Sequence, residues 1–273
     1  MMSLFCGLFL LLAGGQGFAL QDKPAAGAVL LRVNGRVELA RSVNRPMAPA
    51  SLAKLALAVV VMEADPLRRK ALVRVSRAAA GQTGSRIGLR PGEKFKSEDL
   101  LAAMLIASGN DACHALAEHV AGSPQKAVKR MNKLARRLGM SKTLFKDPCG
   151  HDQPGQKTTA RDLMLLADAA MAHPRLLEIA ATRERQIATA DGRRRFLLKS
   201  TNHLLGSYPG AVGLKTGYTP NAGPCLIALA RQNGVEVLLV LLAAEDRWHS
   251  AARLLDAGFE QARGQLPGEE PVR

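Results

Sequence analysis

Aromatic side chains are scarce, at 4% of the chain, and acidic residues are outnumbered, 23 against 38 Lys and Arg. The resulting net charge of +15 raises the question of a nucleic-acid partner. No zinc-finger spacing, aromatic RNA-binding motif or basic-leucine pattern accompanies the charge, so no nucleic acid is expected as a partner. The densest basic stretch, with Lys126, Lys129, Arg130, Lys133, Arg136 and Arg137, fits one face of an amphipathic helix. An anionic polymer or a phospholipid surface accounts for it as well as DNA would. No Gly-x-Ser-x-Gly elbow is present for a histidine to serve, and the six scattered histidines (His114, His119, His151, His173, His203, His249) read as structural or surface residues. Cysteine has no metal-ligand spacing, and neither a metal nor a cofactor is expected.

Apolar runs long enough to span a bilayer are also missing. Leu4 to Leu12 is apolar but short, and the small residues that follow suit cleavage after Ala19. This reads as an export signal over residues 1–19, with a periplasmic or secreted destination after cleavage and no C-terminal membrane anchor expected. Its removal would leave Cys113, Cys149 and Cys225. Three cannot all pair, which argues against a disulfide framework and leaves room for one bridge.

What the sequence does contain is strands at both ends and helices between. Ala28 to Val33 and Arg36 to Arg41 flank Asn34-Gly35, and Leu226 to Arg231 and Val235 to Ala243 flank Gln232-Asn233-Gly234; both read as hairpins. Between them, Ser51 to Ala64, Ser97 to Ala121, Pro124 to Leu138 and Thr159 to Met171 have helical spacing, and a last helix covers roughly Trp248 to Ala262. The expected fold is α+β, an antiparallel sheet built from both chain ends with a helical lobe inserted between them. One domain is expected over residues 25–263, with a polar tail over 264–273.

Three short motifs carry chemistry. Pro49-Ala50-Ser51 opens a helix, and Lys54 follows one turn later on the same face. A serine hydroxyl needs a base, and a lysine becomes one only if apolar surroundings disfavour its charged form. Leu52 to Met62 supplies such surroundings. Ser108-Gly109-Asn110 offers a hydroxyl that passes a proton and an amide that both donates and accepts. Lys215-Thr216-Gly217, followed by Tyr218, reads as a strand edge where a peptide would lie alongside, with two groups to hold a carboxylate.

Any one of these tripeptides is weak. Together and in this order they match the motif set of penicillin-binding proteins and class A β-lactamases. Gly84 to Glu93, Ser108 to Cys113, Thr159 to Asp162 and Gly213 to Gly223 further resemble the low-molecular-weight penicillin-binding proteins of the D-alanyl-D-alanine carboxypeptidase family. The resemblance runs from about Ala25 to Phe259 and implies a β-lactamase/transpeptidase-like fold. It implies that Ser51 is the nucleophile, Lys54 its proton acceptor and Ser108 a relay to the leaving group. Asn110 would meet the substrate amide, and Lys215, Thr216 and Arg247 its terminal carboxylate. Gly217 would keep the strand edge open, and the amides of Ser51 and Tyr218 would form the oxyanion hole.

Two departures stand out. Cys149-Gly150-His151 replaces the usual His-Gly-Leu, which affects loop packing without implying a catalytic role. The second, β-rich domain and the amphipathic anchor of many relatives are not expected here. The implied activity is removal of the terminal D-alanine from peptidoglycan stem peptides, with β-lactams as covalent inhibitors. The alternatives are a D,D-endopeptidase on cross-links, a class A-like β-lactamase and a non-catalytic cell-wall binding protein. Ser-Gly-Asn in place of Ser-Asp-Asn, and no identifiable deacylating glutamate, weigh against the β-lactamase.

Overall fold

The computed structural model describes residues 25–64 and 71–265; the export-signal reading and most of the polar tail lie outside them. In chain order the elements are β1 (Ala26–Val33), β2 (Arg36–Arg41), a 3-10 turn (Ala50–Leu52) and α1 (Ala53–Ala64), then β3 (Leu72–Arg74), α2 (Arg77–Ala80), β4 (Lys94–Lys96), α3 (Ser97–Ile106) and α4 (Asn110–Ala121). They continue with α5 (Pro124–Arg137), α6 (Ala160–Met171), α7 (Pro174–Ala180), β5 (Glu184–Ala188), β6 (Arg195–Lys199), β7 (Ala211–Thr219), β8 (Gly223–Gln232), β9 (Val235–Ala244) and α8 (Arg247–Gln265).

The main sheet has the order β2-β1-β9-β8-β7 and is antiparallel throughout, so its two ends of chain meet where β1 pairs with β9. This is the expected α+β layout. Both predicted hairpins form. Asn34 and Asn233 take positive φ (45° and 49°) ahead of a glycine, the backbone a tight two-residue turn requires. The central strands β1, β9 and β8 are apolar on both faces because both faces are covered. Along β1, Ala28 and Leu30 join the core under the helical lobe, while Val29, Leu31 and Val33 join a second core beneath α8. Leu254, Leu255 and Phe259 of α8 close that second core.

The single helical stretch expected over 97–121 is two helices. Ser108 takes φ 58° between them, and Gly109 sits at the α4 N-cap, which turns the chain sharply at the motif. The last helix is longer than expected and includes Gly264 and Gln265, so the boundary at 263 falls inside it. The small sheets β3-β4 and β5-β6 went unseen in the sequence; strands of 3 to 5 residues are too short to show a period.

Candidate active site

Ser51 lies in the 3-10 turn, one step before α1, and Lys54 lies in the first turn of α1. Every residue from Ala53 to Met62 is buried, so α1 is enclosed on all sides rather than on one stripe. Lys54 is therefore 0% exposed. Its Nζ stands 2.7 Å from Ser51 Oγ and donates to the Cys149 carbonyl at 2.6 Å. Burial pulls its pKa from 10.5 down to about 7, against the attraction of Asp147. A neutral amine that spends one N–H on Cys149 keeps its lone pair for the Ser51 hydroxyl proton.

The second couple crosses the molecule. Lys215 of β7, 1% exposed, donates from Nζ to Ser108 Oγ at 3.0 Å and to its neighbour Thr216's carbonyl at 3.0 Å. Burial first, then repulsion from Lys54 and Arg247, pushes its pKa well below the usual lysine value. Ala50 and Ser108, beside the nucleophile and at the relay, both hold left-handed backbone (φ 47° and 58°), strain of the kind that gathers at functional sites.

Strand β7 is one edge of the main sheet, opposite β2, and runs past the nucleophile turn. A Cβ on Gly217 would meet Ala50 Cβ at 3.1 Å and the Ser51 amide nitrogen at 3.2 Å, so glycine lets this backbone approach. Thr216 Oγ1 is 2.7 Å from Thr201 Oγ1, while Tyr218 projects from the edge, 63% exposed. Arg247 starts α8 and is half-buried. Its Nη1 donates to the Gly217 carbonyl at 2.7 Å and to the Cys225 carbonyl at 3.3 Å.

Asn110 Nδ2 donates to the Thr83 carbonyl at 2.6 Å and lies 3.0 Å from His151 Nε2, while its Oδ1 is buried with no protein partner among the described residues. The stretch before it is tied down by Asp111, whose Oδ2 accepts from the amides of Gly88 at 2.9 Å and Leu89 at 3.1 Å.

The catalytic and substrate-binding residues of the motifs thus lie in one connected set of contacts. The loop at 147–151 joins them. Cys149 forms the one bridge, to Cys113 of α4, with a Cα separation of 5.8 Å, and Cys225 stays free. A Cβ on Gly150 would fall 1.8 Å from the Ala50 carbonyl oxygen, so the loop is pressed against the nucleophile turn. Asp147 Oδ1 accepts from the amides of Cys149 (2.8 Å), Gly150 (2.7 Å) and His151 (3.0 Å). His151 is not a bystander: its ring touches Asn110. The signal available beforehand was the departure at Cys149-Gly150-His151 itself.

A serine with a buried lysine at its hydroxyl, a second Ser–Lys couple, and an open strand edge beside both make a penicillin-recognising serine enzyme on an α+β fold. The D-alanyl-D-alanine carboxypeptidase family model matches residues 19–246. The chain is 34% identical over 274 residues to D-alanyl-D-alanine carboxypeptidase DacF of Bacillus subtilis, covering 95% of this chain and 70% of that one. It is 32% identical to a D-alanyl-D-alanine endopeptidase of Pseudomonas aeruginosa, over 84% of this chain and 74% of that one. A crystal structure of a penicillin-binding protein homolog from Mycobacterium tuberculosis superposes with a TM-score of 0.84 at 30% identity, covering 94% of this chain and 98% of that one. The protein belongs to the D-alanyl-D-alanine carboxypeptidase family.

Proposed function

We propose that the protein is a serine D,D-carboxypeptidase that cuts the terminal D-alanine from peptidoglycan stem peptides through an acyl-enzyme on Ser51. The observation that carries this reading is Lys54, fully buried, 2.7 Å from Ser51 Oγ, with a pKa brought to about 7. Its neutral amine takes the hydroxyl proton as Ser51 Oγ attacks the carbonyl of the penultimate residue. The close pass of Gly217 along the Ser51 amide supports an oxyanion hole from the amides of Ser51 and Tyr218. As the C–N bond breaks, the leaving amine takes a proton through Ser108, which Lys215 holds. Water then attacks the ester, the acid leaves, and Ser51 recovers its proton.

Lys215 and Thr216 bind the terminal carboxylate in this scheme, and the half-buried Arg247 adds positive charge beside them. An anion arriving there restores the charge that burial discourages on Lys215. Asn110 meets the substrate amide. β-Lactams acylate Ser51 as mimics of the scissile peptide. Endopeptidase action on cross-links would use the same groups, and the similarity to a D-alanyl-D-alanine endopeptidase keeps it as a second reading.

The domain carrying this activity begins at residue 25 and takes in the described part of the chain to the end of α8, after an export signal that sends it to the periplasm or the exterior. Among the described residues no helix is long and apolar enough to cross a membrane. The exposed face of α5, with Lys126, Lys129, Arg130, Lys133, Arg136 and Arg137, is read as a contact for anionic wall polymer or phospholipid.

Mass spectrometry with benzylpenicillin tests the reading. An adduct on the peptide holding Ser51, absent from Ser51→Ala, is expected. Drug turnover without an adduct would instead mean a β-lactamase, and neither would mean a binding protein.

A further inference from the structure

The histidine in the loop beside the nucleophile has a geometry that its neighbours make one-sided. His151 Nδ1 is 3.2 Å from Asp147 Oδ1, and Nε2 is 3.0 Å from Asn110 Nδ2. An Asp147 carboxylate can only accept, so Nδ1 carries the proton. An amide Nδ2 can only donate, so Nε2 must be bare. The amide orientation is fixed independently, because Asn110 Nδ2 also lies 2.6 Å from the Thr83 carbonyl, an acceptor. Turning the amide over would bring two oxygens together there. Both Nδ2 hydrogens are therefore used, and Oδ1, buried and without a protein partner among the described residues, is the group left to serve an incoming N–H.

We propose that His151, oriented by Asp147, is a positioning residue that holds the Asn110 carboxamide with its carbonyl oxygen free for the substrate amide, and that it does so only as neutral imidazole. The proposal rests on the reading of Ser51 and Asn110 above and adds a control on the substrate-binding amide. Once Nε2 is protonated, two donors face each other at 3.0 Å. The other acceptor facing that N–H is the Thr83 carbonyl, a long contact at 3.5 Å on an oxygen shared with Asn110. The carboxamide must leave its place or the ring must.

The charged groups acting on the ring are Asp147 from its own loop and Lys54 from α1; the 83–89 segment faces it with the Thr83 carbonyl and α4 with Asn110. Asp111 is turned the other way, onto the amides of Gly88 and Leu89. The hydrogen bond to Asp147 first, and the Thr83 carbonyl after it, raise the His151 pKa above its ordinary 6.5, with burial and Lys54 opposing. Positioning is thus lost as pH falls through a value above the ordinary one. Lys54 must also be neutral, so the acid limb of acylation contains two ionisations that belong to the pair.

The test follows Ser51 acylation by benzylpenicillin from about pH 5 to about pH 9, in the wild type, His151→Gln and His151→Leu, with a thermal melt to confirm folding. The logarithm of the acylation rate should fall with a slope approaching about 2 in the wild type and about 1 in both variants. At neutral pH His151→Leu should lose roughly tenfold. His151→Gln, whose Oε1 can accept from Asn110 but cannot titrate, should recover most of that loss. A wild-type adduct with the same acid slope in all three proteins would overturn this inference alone. If His151→Leu does not fold, the slope in His151→Gln decides. No adduct in the wild type at any pH would overturn the function and the inference together.

Discussion

Helices α1 and α5 pack against each other in the helical lobe, and both carry lysine, yet they present it to opposite environments. In α5 only Ala127, Met131, Leu134 and Ala135 are buried, and Lys126, Lys129 and Lys133 stand in solvent. In α1 the whole run from Ala53 to Met62 is buried and takes Lys54 with it. The Lys54 amine meets a hydroxyl and a backbone carbonyl, and loses much of its hold on its proton. The same residue type serves as a solubilising charge in one helix and as a base in the other. What separates them is how much of each helix other segments cover, which the width of its apolar face permits.

The sharpest break in this comparison is Lys54→Met. It should cost about 10³-fold or more in Ser51 acylation, while making the protein more stable near neutral pH by roughly 2–4 kcal/mol. The sign follows from the lowered pKa. Between about 7 and 10.5 the unfolded chain binds the Lys54 proton and the folded chain does not. Stability therefore rises with pH across that window, and the advantage of the variant should shrink toward its upper end. Thermal melts at neutral and alkaline pH measure this, and a lower melting temperature for the variant at neutral pH would refute it.

Gly150→Ala attacks the same base from outside the helix. The new Cβ would overlap the Ala50 carbonyl oxygen, at a position with φ 88°, so the loop must move off the nucleophile turn. Losses of about 100-fold in acylation and about 2–3 kcal/mol in denaturant stability are expected. An active, fully stable variant would mean that the loop does not support Lys54.

Opening the bridge is milder. Cys113→Ala with Cys149→Ala, which removes a link across 36 residues, should cost about 2–4 kcal/mol. Acylation should fall only several-fold, since Asp147 still gathers the loop amides. Equal loss of activity in this variant and in Gly150→Ala would show that the bridge, not the backbone contact, sets the loop.

The smallest effect belongs to α5. Replacing Lys126, Lys129 and Lys133 together by Gln should change stability by no more than about 0.5 kcal/mol and leave benzylpenicillin acylation alone. Retention on an anionic polymer should weaken, and the wild type's retention should fall as salt is added. Retention that ignores salt would remove the charge-based reading of this face.

The sequence was most readable where the signal is local. The Asn-Gly turns and their flanking apolar runs placed β1, β2, β8 and β9 to within three residues at each end. The amphipathic stripe of α5 was equally plain. The sequence was least readable at Ser108, where a left-handed residue splits an otherwise continuous helical pattern. It was also poor at His151, whose partners Asp147 and Asn110 are invisible to any periodicity. Arg247 could be placed at a helix start, but not tied to the carbonyls of Gly217 and Cys225.

By itself the sequence determined that this chain builds an antiparallel sheet from its two ends and carries Ser51, Lys54, Ser108 and Lys215 in that order. Turn chemistry, apolar periodicity and one-turn spacing act over a few residues, and a few residues are enough to read them. Only the tertiary structure decided that Lys54 loses its water, that the Cys149 carbonyl holds it, and that His151 reaches Asn110. Those outcomes depend on which distant segments pack together, because desolvation and hydrogen bonding are properties of the assembled surroundings rather than of the neighbouring sequence.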